Sequence, residues 1–470
     1  MLIRELRAVL GDGRVLTGGT ELALYGRDAS NISGATSVVC LPTSTAEVQH
    51  CVQAAVRHSV PFVARGSGTG LAGGAVPLDG AVVISLTKMN RVLSVDAENR
   101  QAWVEPGLLN LDLSRFTAAD GLHFAPDPSS QQSCSIGGNV ANNSGGPHCL
   151  ADGVTNAHIL ALEVVLPDGS VTMLGGEDPE PEGYDLRGVF VGSEGMLGIA
   201  TKVCVRLTQN APAVRTLLMD FTSVDDGATA VSAIIAGGIL PAALEMMDRL
   251  CIEAVEGFVH AGLPLDAAAV LLVEVTGLPA GLDADVSRII EIGKAHGARS
   301  VRVAQDEAER LLLWKGRKSA FGAIARIKPN YYLHDTVVPR RRLPEVLAKV
   351  YEIAERHELL VLNVFHAGDG NLHPLLVFDK REPGVMDRVH QAGEEIVAIS
   401  VAVGGALSGE HGIGLEKRDY MPLMFSPDDL DAQGLLRRAF DPLLLANPHK
   451  VLPSASTCGD VQHVPEGTWI

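Results

Sequence analysis

The segment that decides the fold reads RGSGTGLAGGAVPLDG and covers residues 65–80. It follows one predicted buried strand, residues 60–64, and precedes another, residues 81–86. Gly68, Gly70 and Gly73 match the dinucleotide pattern GxGxxG, but that pattern indicates a Rossmann site only when it opens a helix. Residues 75–80 include Pro77 and leave no room for such a helix. A nicotinamide site of the Rossmann type is therefore excluded.

The glycine-rich loop still suits an anion. Five glycines within residues 66–74 allow successive backbone N–H groups to point inward as an anion-binding nest, with Arg65 beside them. This arrangement predicts a pyrophosphate-binding loop. A plain glycine-rich surface loop is the alternative, and the composition of the loop leaves both open.

Two further stretches combine small residues with amide side chains. They read SCSIGGNVANNSGG at residues 133–146 and GSEGMLGI at residues 192–199. Small residues let a flat ligand approach the backbone, and amides offer both donors and acceptors. Together with the glycine loop, these stretches indicate one extended, polar ligand that carries phosphate.

Length and charge set outer limits on the function. The 470 residues correspond to about three folding units, or to two large units with an appendage. The chain has 38 basic and 56 acidic side chains, a net charge of −18, and 20 aromatic residues. This balance repels phosphate backbones and argues against nucleic-acid binding. With 46% hydrophobic and 20% charged residues, global disorder is excluded.

Cysteine usage and the N-terminal sequence predict a cytoplasmic protein. The seven cysteines, Cys458 among them, form no CxxC pair, so neither a zinc ribbon nor an iron–sulfur ligand run is present. We expect reduced thiols. Glu5 lies where a signal peptide would be apolar, so no secretion signal is predicted. Residues 227–244 carry no charge, but Pro241 and paired glycines favour a short buried helix, a turn and a strand over a membrane span.

The chain changes character near residue 210. The first part predicts short mixed elements, including a capped helix at residues 46–58 and a β-hairpin at residues 159–174. The second part alternates longer helices with apolar strands that predict a sheet covered on both faces, as in an α/β layer. The predicted strands are 270–275 and 359–364, and the predicted helices are 224–235, 248–259, 284–296, 305–324, 343–357 and 385–403.

Histidines and a carboxylate recur in two late segments, FHAGDGNLHP at residues 365–374 and SGEHGIG at residues 408–414. His366, His373 and Glu410 could hold a divalent metal and leave coordination positions open, as in catalytic sites. Zinc, manganese or iron would suit such ligands, and His411 would be a neighbouring general base. The alternative is that these histidines make ordinary core hydrogen bonds in glycine-rich turns.

These five motifs, in this order, resemble those of the FAD-dependent D-2-hydroxy-acid dehydrogenases of the vanillyl-alcohol-oxidase superfamily. That group includes the flavin subunit of bacterial glycolate oxidase and the D-lactate dehydrogenases, and the match covers residues 35–453. The resemblance implies an α+β fold. Residues 1–210 would form a PCMH-type FAD-binding domain of two α+β subdomains, residues 211–420 an α/β cap with the metal site, and residues 421–470 a C-terminal segment that packs back on the FAD domain.

The resemblance also assigns the FAD contacts. Relatives that attach FAD covalently use a histidine where this chain has Thr69, Gly70 and Leu71, so non-covalent FAD is implied. Cys134 does not have the spacing of cysteine-linked relatives and is interpreted as a packing residue. The implied FAD-binding residues are Arg65, Gly66, Ser67, Gly68, Thr69, Gly70, Gly73, Gly74, Pro126, Asp127, Ser129, Ser135, Gly137, Gly138, Asn139, Asn142, Gly195, Gly198 and Ile199.

In the cap, the resemblance implies that His366, His373 and Glu410 are the metal ligands, with zinc or manganese as the preferred ion. It implies His411 as the base and Arg317 as the residue that clamps the substrate carboxylate. Some relatives have a lysine where this chain has Leu333. That departure argues against a long diacid such as 2-hydroxyglutarate and favours a small monocarboxylate.

The implied activity is oxidation of a small 2-hydroxy acid, of the glycolate or D-lactate class, to the 2-keto acid. Electrons would leave to an unknown acceptor, for which an iron–sulfur partner subunit is one candidate. The chain supplies no membrane anchor itself, so we expect a cytoplasmic protein that reaches the inner membrane only through partner subunits. Two alternatives stay open, a flavin oxidase of alcohols or sugars with the same fold and an electron-transfer subunit.

Overall fold

The computed structural model describes residues 1–178 and 183–453. The described residues form two compact units: the first comprises residues 1–145, 153–178, 183–210 and 410–453, and the second comprises residues 146–152 and 211–409. Cys458 and the end of the predicted segment 421–470 lie outside the described residues. The roles assigned above to residues 1–210, 211–420 and 421–470 stay predictions.

The first unit contains two larger sheets and a two-stranded one. Their strands are β1 (Val15–Leu16), β2 (Thr36–Cys40), β3 (Phe62–Arg65), β4 (Gly80–Ser85), β5 (Val92–Asp96), β6 (Gln101–Val104), β7 (Leu122–His123), β8 (Ile159–Val165), β9 (Val171–Gly175), β10 (Ile199–Arg206) and β11 (Thr208–Gln209). The helices of this unit are α1 (Leu2–Leu10), α2 (Gly19–Tyr25), α3 (Thr45–Arg57), α4 (Asn110–Thr117), α5 (Ile136–Asn142), α7 (Leu186–Phe190) and α15 (Pro427–Phe440).

Each larger sheet of the first unit has its own core. The four-stranded sheet has the order β1-β2-β4-β3, with β4 parallel to both β2 and β3. Helix α3 covers it with Val48 and Val52, which pack on Val38 and Ile84. The five-stranded sheet, β5-β6-β10-β8-β9, is antiparallel and has a separate apolar cluster. Two separate cores agree with two α+β subdomains.

The second unit is built on a nine-stranded sheet whose ladders are all antiparallel. Its strands are β12 (Ala213–Phe221), β13 (Ala243–Asp248), β14 (Ala269–Gly277), β15 (Ala298–Val303), β16 (Asn330–Leu333), β17 (Thr336–Val337), β18 (Leu360–His366), β19 (Asn371–Leu372) and β20 (Pro374–Phe378). Its helices are α6 (Cys149–Asp152), α8 (Val224–Ala236), α9 (Arg249–Val259), α10 (Pro279–Ala295), α11 (Glu307–Lys318), α12 (Ala320–Ile324), α13 (Leu343–Arg356) and α14 (Val385–Ala402).

Local predictions agree with these elements at most positions. Helix α3 begins after Ser44, whose hydroxyl accepts from the Glu47 N–H as the cap predicts, and β8 pairs with β9 as the predicted hairpin. The predicted helix 305–324 is divided into α11 and α12, because the Ser319 N–H bonds to the carbonyls of both Lys315 and Gly316 and tightens the turn there.

The uncharged stretch 227–244 forms part of α8, a turn and the start of β13, as predicted. Within residues 1–178 and 183–453, no helix has the length and apolar character that a membrane crossing requires. The six cysteines in those ranges form no disulfide bond with one another.

Candidate active site

Arg65 is the last residue of β3 and stands at the start of the glycine-rich loop. Its guanidinium carbon lies 5.4 Å from the centre of the Tyr25 ring. Burial lowers the pKa of Arg65, an effect that the nearby Asp28 carboxylate opposes. Its Nη1 is buried and has no hydrogen-bond partner among the described residues. A buried, unpaired cationic N–H group suits an anionic ligand such as a pyrophosphate.

Glycine is required at two points of this loop. Gly68 has a φ of +74°, and a side chain there would strike the Arg65 guanidinium. A side chain at Gly66 would strike the hydroxyl oxygen of Ser135. The loop, the arginine and the first turn of α5 therefore pack against one another with no space for a Cβ atom at these two positions.

Helix α5 carries the second predicted stretch. Ser135 is its N-cap and accepts from the Gly138 N–H at 3.3 Å. Asn139 is buried, and its Oδ1 accepts from the Asn110 side chain at 2.9 Å. At the other end, Asn142 Nδ2 donates to the backbone carbonyl of His411 at 2.9 Å. The structure thus joins a predicted FAD residue to the segment that contains the predicted base.

The third predicted stretch contains Glu194, which is buried and has a φ of +52°. Its Oε1 accepts from the backbone N–H groups of Ile413 at 2.7 Å and Gly414 at 3.0 Å. Burial raises the pKa of Glu194. A Cβ at Gly74 would lie 3.0 Å from Glu194 Oε2, so the glycine loop, this stretch and residues 413–414 meet at one point.

Sequence reasoning missed two residues near the C-terminus that hold the glycine loop. The buried Asn447 Nδ2 donates to the carbonyls of Gly74 at 2.8 Å and Glu194 at 2.6 Å. Lys450 Nζ donates to the Val76 carbonyl at 2.7 Å, and burial lowers the pKa of this lysine to about 8. A single asparagine and a single lysine far along the chain have no local signal that could have identified them.

The remaining predicted FAD residues lie in the first unit as well. The Pro126 carbonyl accepts from the Asn110 side chain at 2.9 Å, and Asp127 is buried. Gly198 has a φ of +142° and packs on the Val165 carbonyl. Gly195, with a φ of +76°, would place a Cβ 3.9 Å from the Asn447 side-chain nitrogen. The positions not yet located are Ser67, Thr69, Gly70 and Gly73 in the glycine loop, Ser129 in the turn before α5, Gly137 in α5 and Ile199 at the start of β10.

The histidine pair lies where β18 ends. His366 is the last residue of β18 and His373 follows β19, and their ring centroids are 5.0 Å apart at an interplanar angle of 81°. The turn between them includes Gly370, with a φ of +73° that a side chain rarely adopts. Both histidines are buried.

Glu410 directly follows Gly409, the last residue of the second unit. The Gly409 N–H donates to the buried Asp335 carboxylate at 3.0 Å, and a Cβ at Gly409 would strike the Asn371 side chain. The structure therefore brings His366 and His373 together within the second unit, whereas Glu410 belongs to the first unit and stays a predicted ligand. His411 Nε2 lies 3.6 Å from Glu410 Oε1.

Arg317, the predicted carboxylate clamp, is buried near the end of α11 and pairs with Glu245 of β13. Arg317 Nε donates to Glu245 Oε2 at 2.7 Å, and Nη2 lies 2.5 Å from the same oxygen. The other oxygen, Oε1, is 2.8 Å from His366 Nδ1. Sequence reasoning missed Glu245, because a single acidic residue in an apolar strand gives no motif.

Comparison with known proteins gives matches over most of the chain. Residues 36–175 match the family model for an FAD binding domain, and residues 211–451 match the model for the FAD linked oxidases, C-terminal domain. The chain belongs to the FAD-linked oxidases. It is therefore an FAD-dependent oxidoreductase, and the family resemblance identified from the five motifs is confirmed.

Two relatives in sequence and one solved structure match nearly the whole chain. The glycolate oxidase subunit GlcD of Escherichia coli K12 is 46% identical over 92% of this chain and 87% of its own length. A probable mitochondrial D-lactate dehydrogenase of Danio rerio is 32% identical over 97% and 92% of the two chains. The structure of 4-ethylphenol oxidase from Gulosibacter chungangensis has a TM-score of 0.80 at 20% identity, covering 96% of each chain. That likeness confirms the fold.

Proposed function

We propose that this FAD-linked oxidase converts a small 2-hydroxy acid, of the glycolate or D-lactate class, into the 2-keto acid. The observation that carries the proposal lies within the second unit: the buried pair of His366 and His373, with the Glu245–Arg317 pair bonded to His366. Relatives described as a glycolate oxidase subunit and as a D-lactate dehydrogenase support the same substrate class.

Features of the first unit itself, apart from the comparisons, support FAD binding there. The unpaired Arg65 Nη1 and the glycine positions that exclude a Cβ form a cradle for a phosphate-bearing ligand. When bound, FAD supplies the acceptor for the hydride that leaves the substrate carbon. We propose that the cofactor is held without a covalent bond, since the loop residues after Gly68 are Thr69, Gly70 and Leu71.

A divalent metal fits the adjacent imidazoles of His366 and His373, and we propose Glu410 as its third ligand. Two imidazoles and one carboxylate would leave positions open for substrate, and they suit Zn²⁺ or Mn²⁺. When bound, the metal lowers the pKa of the substrate hydroxyl group. Because His366 Nδ1 bonds to Glu245, the Nε2 atom would be the one that coordinates the metal, and a carboxylate partner of this kind is usual around metal ligands.

The remaining steps follow from this chain's own side chains. Arg317 offers its Nη1, which is buried and has no partner among the described residues, to the substrate carboxylate. His411 accepts the hydroxyl proton on its imidazole, so that the hydride can leave from the same carbon. The Asn142 side-chain NH₂ group donates to the backbone carbonyl of His411 and so holds the His411 backbone in place. The buried apolar side chain of Leu333 offers no partner for a second carboxylate, so the proposal is restricted to small monocarboxylates.

The test is anaerobic reduction of the bound flavin. Purified holoprotein is mixed with glycolate, with the D- and L-forms of several 2-hydroxy acids, and with an alcohol and a sugar, and the visible absorbance of the flavin is recorded. Bleaching by glycolate or by one D-acid supports the proposal and ranks the substrates. Bleaching by an alcohol or sugar alone would replace it with the alcohol-oxidase alternative, and no bleaching by any of them would favour an electron-transfer subunit.

Metal removal tests the second part of the proposal. After dialysis against a chelator, we expect loss of flavin reduction with unchanged FAD content, and recovery with Zn²⁺ or Mn²⁺. Full activity after complete metal removal would contradict the metal-assisted step.

The proposal includes an electron acceptor outside this chain. No CxxC pair, as an iron–sulfur ligand run would have, occurs in this sequence. The candidate acceptor is an iron–sulfur partner subunit. The protein would be cytoplasmic and would reach the inner membrane through such a partner. Flavin that stays reduced in air but reoxidises with a soluble dye would support an external acceptor. Rapid reoxidation by oxygen alone would contradict it.

A further inference from the structure

Glu245 connects two parts of the candidate site through one carboxylate. It lies in β13 and its side chain is completely buried. One oxygen faces the Arg317 guanidinium at 2.7 Å and 2.5 Å, and the other faces His366 Nδ1 at 2.8 Å. All three residues belong to the second unit.

The chemistry of the carboxylate fixes the state of both partners. An ionised carboxylate only accepts hydrogen bonds, so His366 donates from Nδ1 and its Nε2 carries the ligating lone pair. Arg317 Nε donates to Glu245 Oε2 and Nη2 forms an ion pair with the same oxygen, so Nη1 is the nitrogen that has neither contact and remains for another anion. The opposite charges of Glu245 and Arg317 compensate each other in a buried environment.

We propose that Glu245 is a positioning residue that sets the His366 tautomer for metal binding and the direction of the Arg317 Nη1 toward the substrate carboxylate. The inference rests on the proposed function and deepens it. It implies that Arg317 binds the substrate carboxylate through one nitrogen, since the paired edge of its guanidinium is already used. It also implies that the metal, and not Arg317, supplies the uncompensated positive charge that attracts the acid.

The test is Glu245→Gln, which keeps the size of the side chain. A glutamine oxygen can accept from His366 or from Arg317, but its NH₂ group then faces a donor on the other side. The matched control is Glu274→Gln. Glu274 is equally buried on the adjacent strand β14 and accepts from Thr216 Oγ1 and Trp314 Nε1, both at 2.6 Å.

We expect Glu245→Gln to weaken Mn²⁺ binding to the chelator-treated protein by roughly 10- to 100-fold, as loss of a metal ligand's carboxylate partner does elsewhere. The KM for the hydroxy acid should rise as well, because Arg317 loses its fixed direction. FAD content should not change. Glu274→Gln should keep wild-type Mn²⁺ affinity and KM. The proposed role of Glu245 would be overturned if both variants lost Mn²⁺ affinity to the same extent. It would equally be overturned if both variants kept the wild-type affinity and KM.

A second measurement does not depend on the folding of that variant. In metal-free wild-type protein, the His366 Nδ1 proton shared with a buried carboxylate should give a downfield proton NMR signal, and His366→Asn should abolish that signal. Absence of such a signal in folded wild-type protein would refute the assigned tautomer. If the signal is present and Mn²⁺ binds, but no hydroxy acid reduces the flavin, the proposed function fails while the positioning of His366 stands.

Discussion

Replacing Lys450 by Met should make the stability of the protein respond differently to pH. Lys450 is 1% exposed, and its Nζ donates to the Val76 carbonyl directly behind the glycine loop. Burial lowers its pKa from 10.5 to about 8, against the opposing effect of Glu194. Methionine fills a similar volume without an ammonium group.

The direction in which stability changes with pH follows from how many protons the folded and unfolded chains bind at Lys450. Between the folded pKa near 8 and the unfolded value of 10.5, the unfolded chain binds more protons at Lys450 than the folded chain does. The contribution of this lysine to stability therefore increases as the pH rises through that interval. From pH 7 to 9.5 the wild type should gain about 2 kcal/mol relative to Lys450→Met, out of about 3 kcal/mol for the complete shift.

The assay is urea unfolding of both holoproteins at pH 7 and pH 9.5, followed by flavin fluorescence and circular dichroism. Other groups titrate in both proteins alike, so the difference between the two free energies isolates Lys450. A difference that stays constant within about 0.5 kcal/mol, or that decreases as the pH rises, would refute the reasoning from burial.

Three further substitutions follow from the same site. Asn447→Asp replaces the NH₂ group that donates to the Gly74 and Glu194 carbonyls with an oxygen that can only accept. The FAD dissociation constant, measured by fluorescence titration, should therefore rise about tenfold or more, and an unchanged value would contradict this. The Gly68→Ala protein should contain no FAD after gel filtration. The control Gly11→Ala should keep its FAD, because Gly11 has a similar φ of +81° but no atom near its Cβ position; loss of FAD from both would indicate general backbone strain. His411→Ala should abolish flavin reduction by the hydroxy acid with FAD retained, and wild-type rates by stopped flow would remove His411 from the mechanism.

The sequence was informative wherever chemistry is concentrated in short segments. The glycine loop, the α5 stretch and the histidine turn each bring backbone requirements and side-chain types together within about a dozen residues, and each forms a compact feature in the structure. The Ser44 cap and the hairpin of β8 and β9 are local in the same sense.

The sequence did not predict which strands pair, or which side chains meet, between segments that are far apart in the chain. Alternating helices and strands predicted the layers of the second unit, but the antiparallel order of its strands depends on contacts between distant segments. Glu245 acquires its role only because β13 pairs with β18 and α11 packs nearby, which no spacing in the chain encodes. Asn447 is a similar case, since its two acceptors lie at residues 74 and 194.

The bonds from Asn447 and Lys450 to the glycine loop have a consequence for biosynthesis. The loop leaves the ribosome 373 residues before Asn447, the residue that bonds to Gly74. At roughly 5 to 20 residues per second, that interval lasts about 20 to 75 s. During it the nascent chain carries a cofactor cradle without the bonds from these two residues, so stable loading with FAD should begin only after Asn447 and Lys450 have been synthesised and have folded back on the loop.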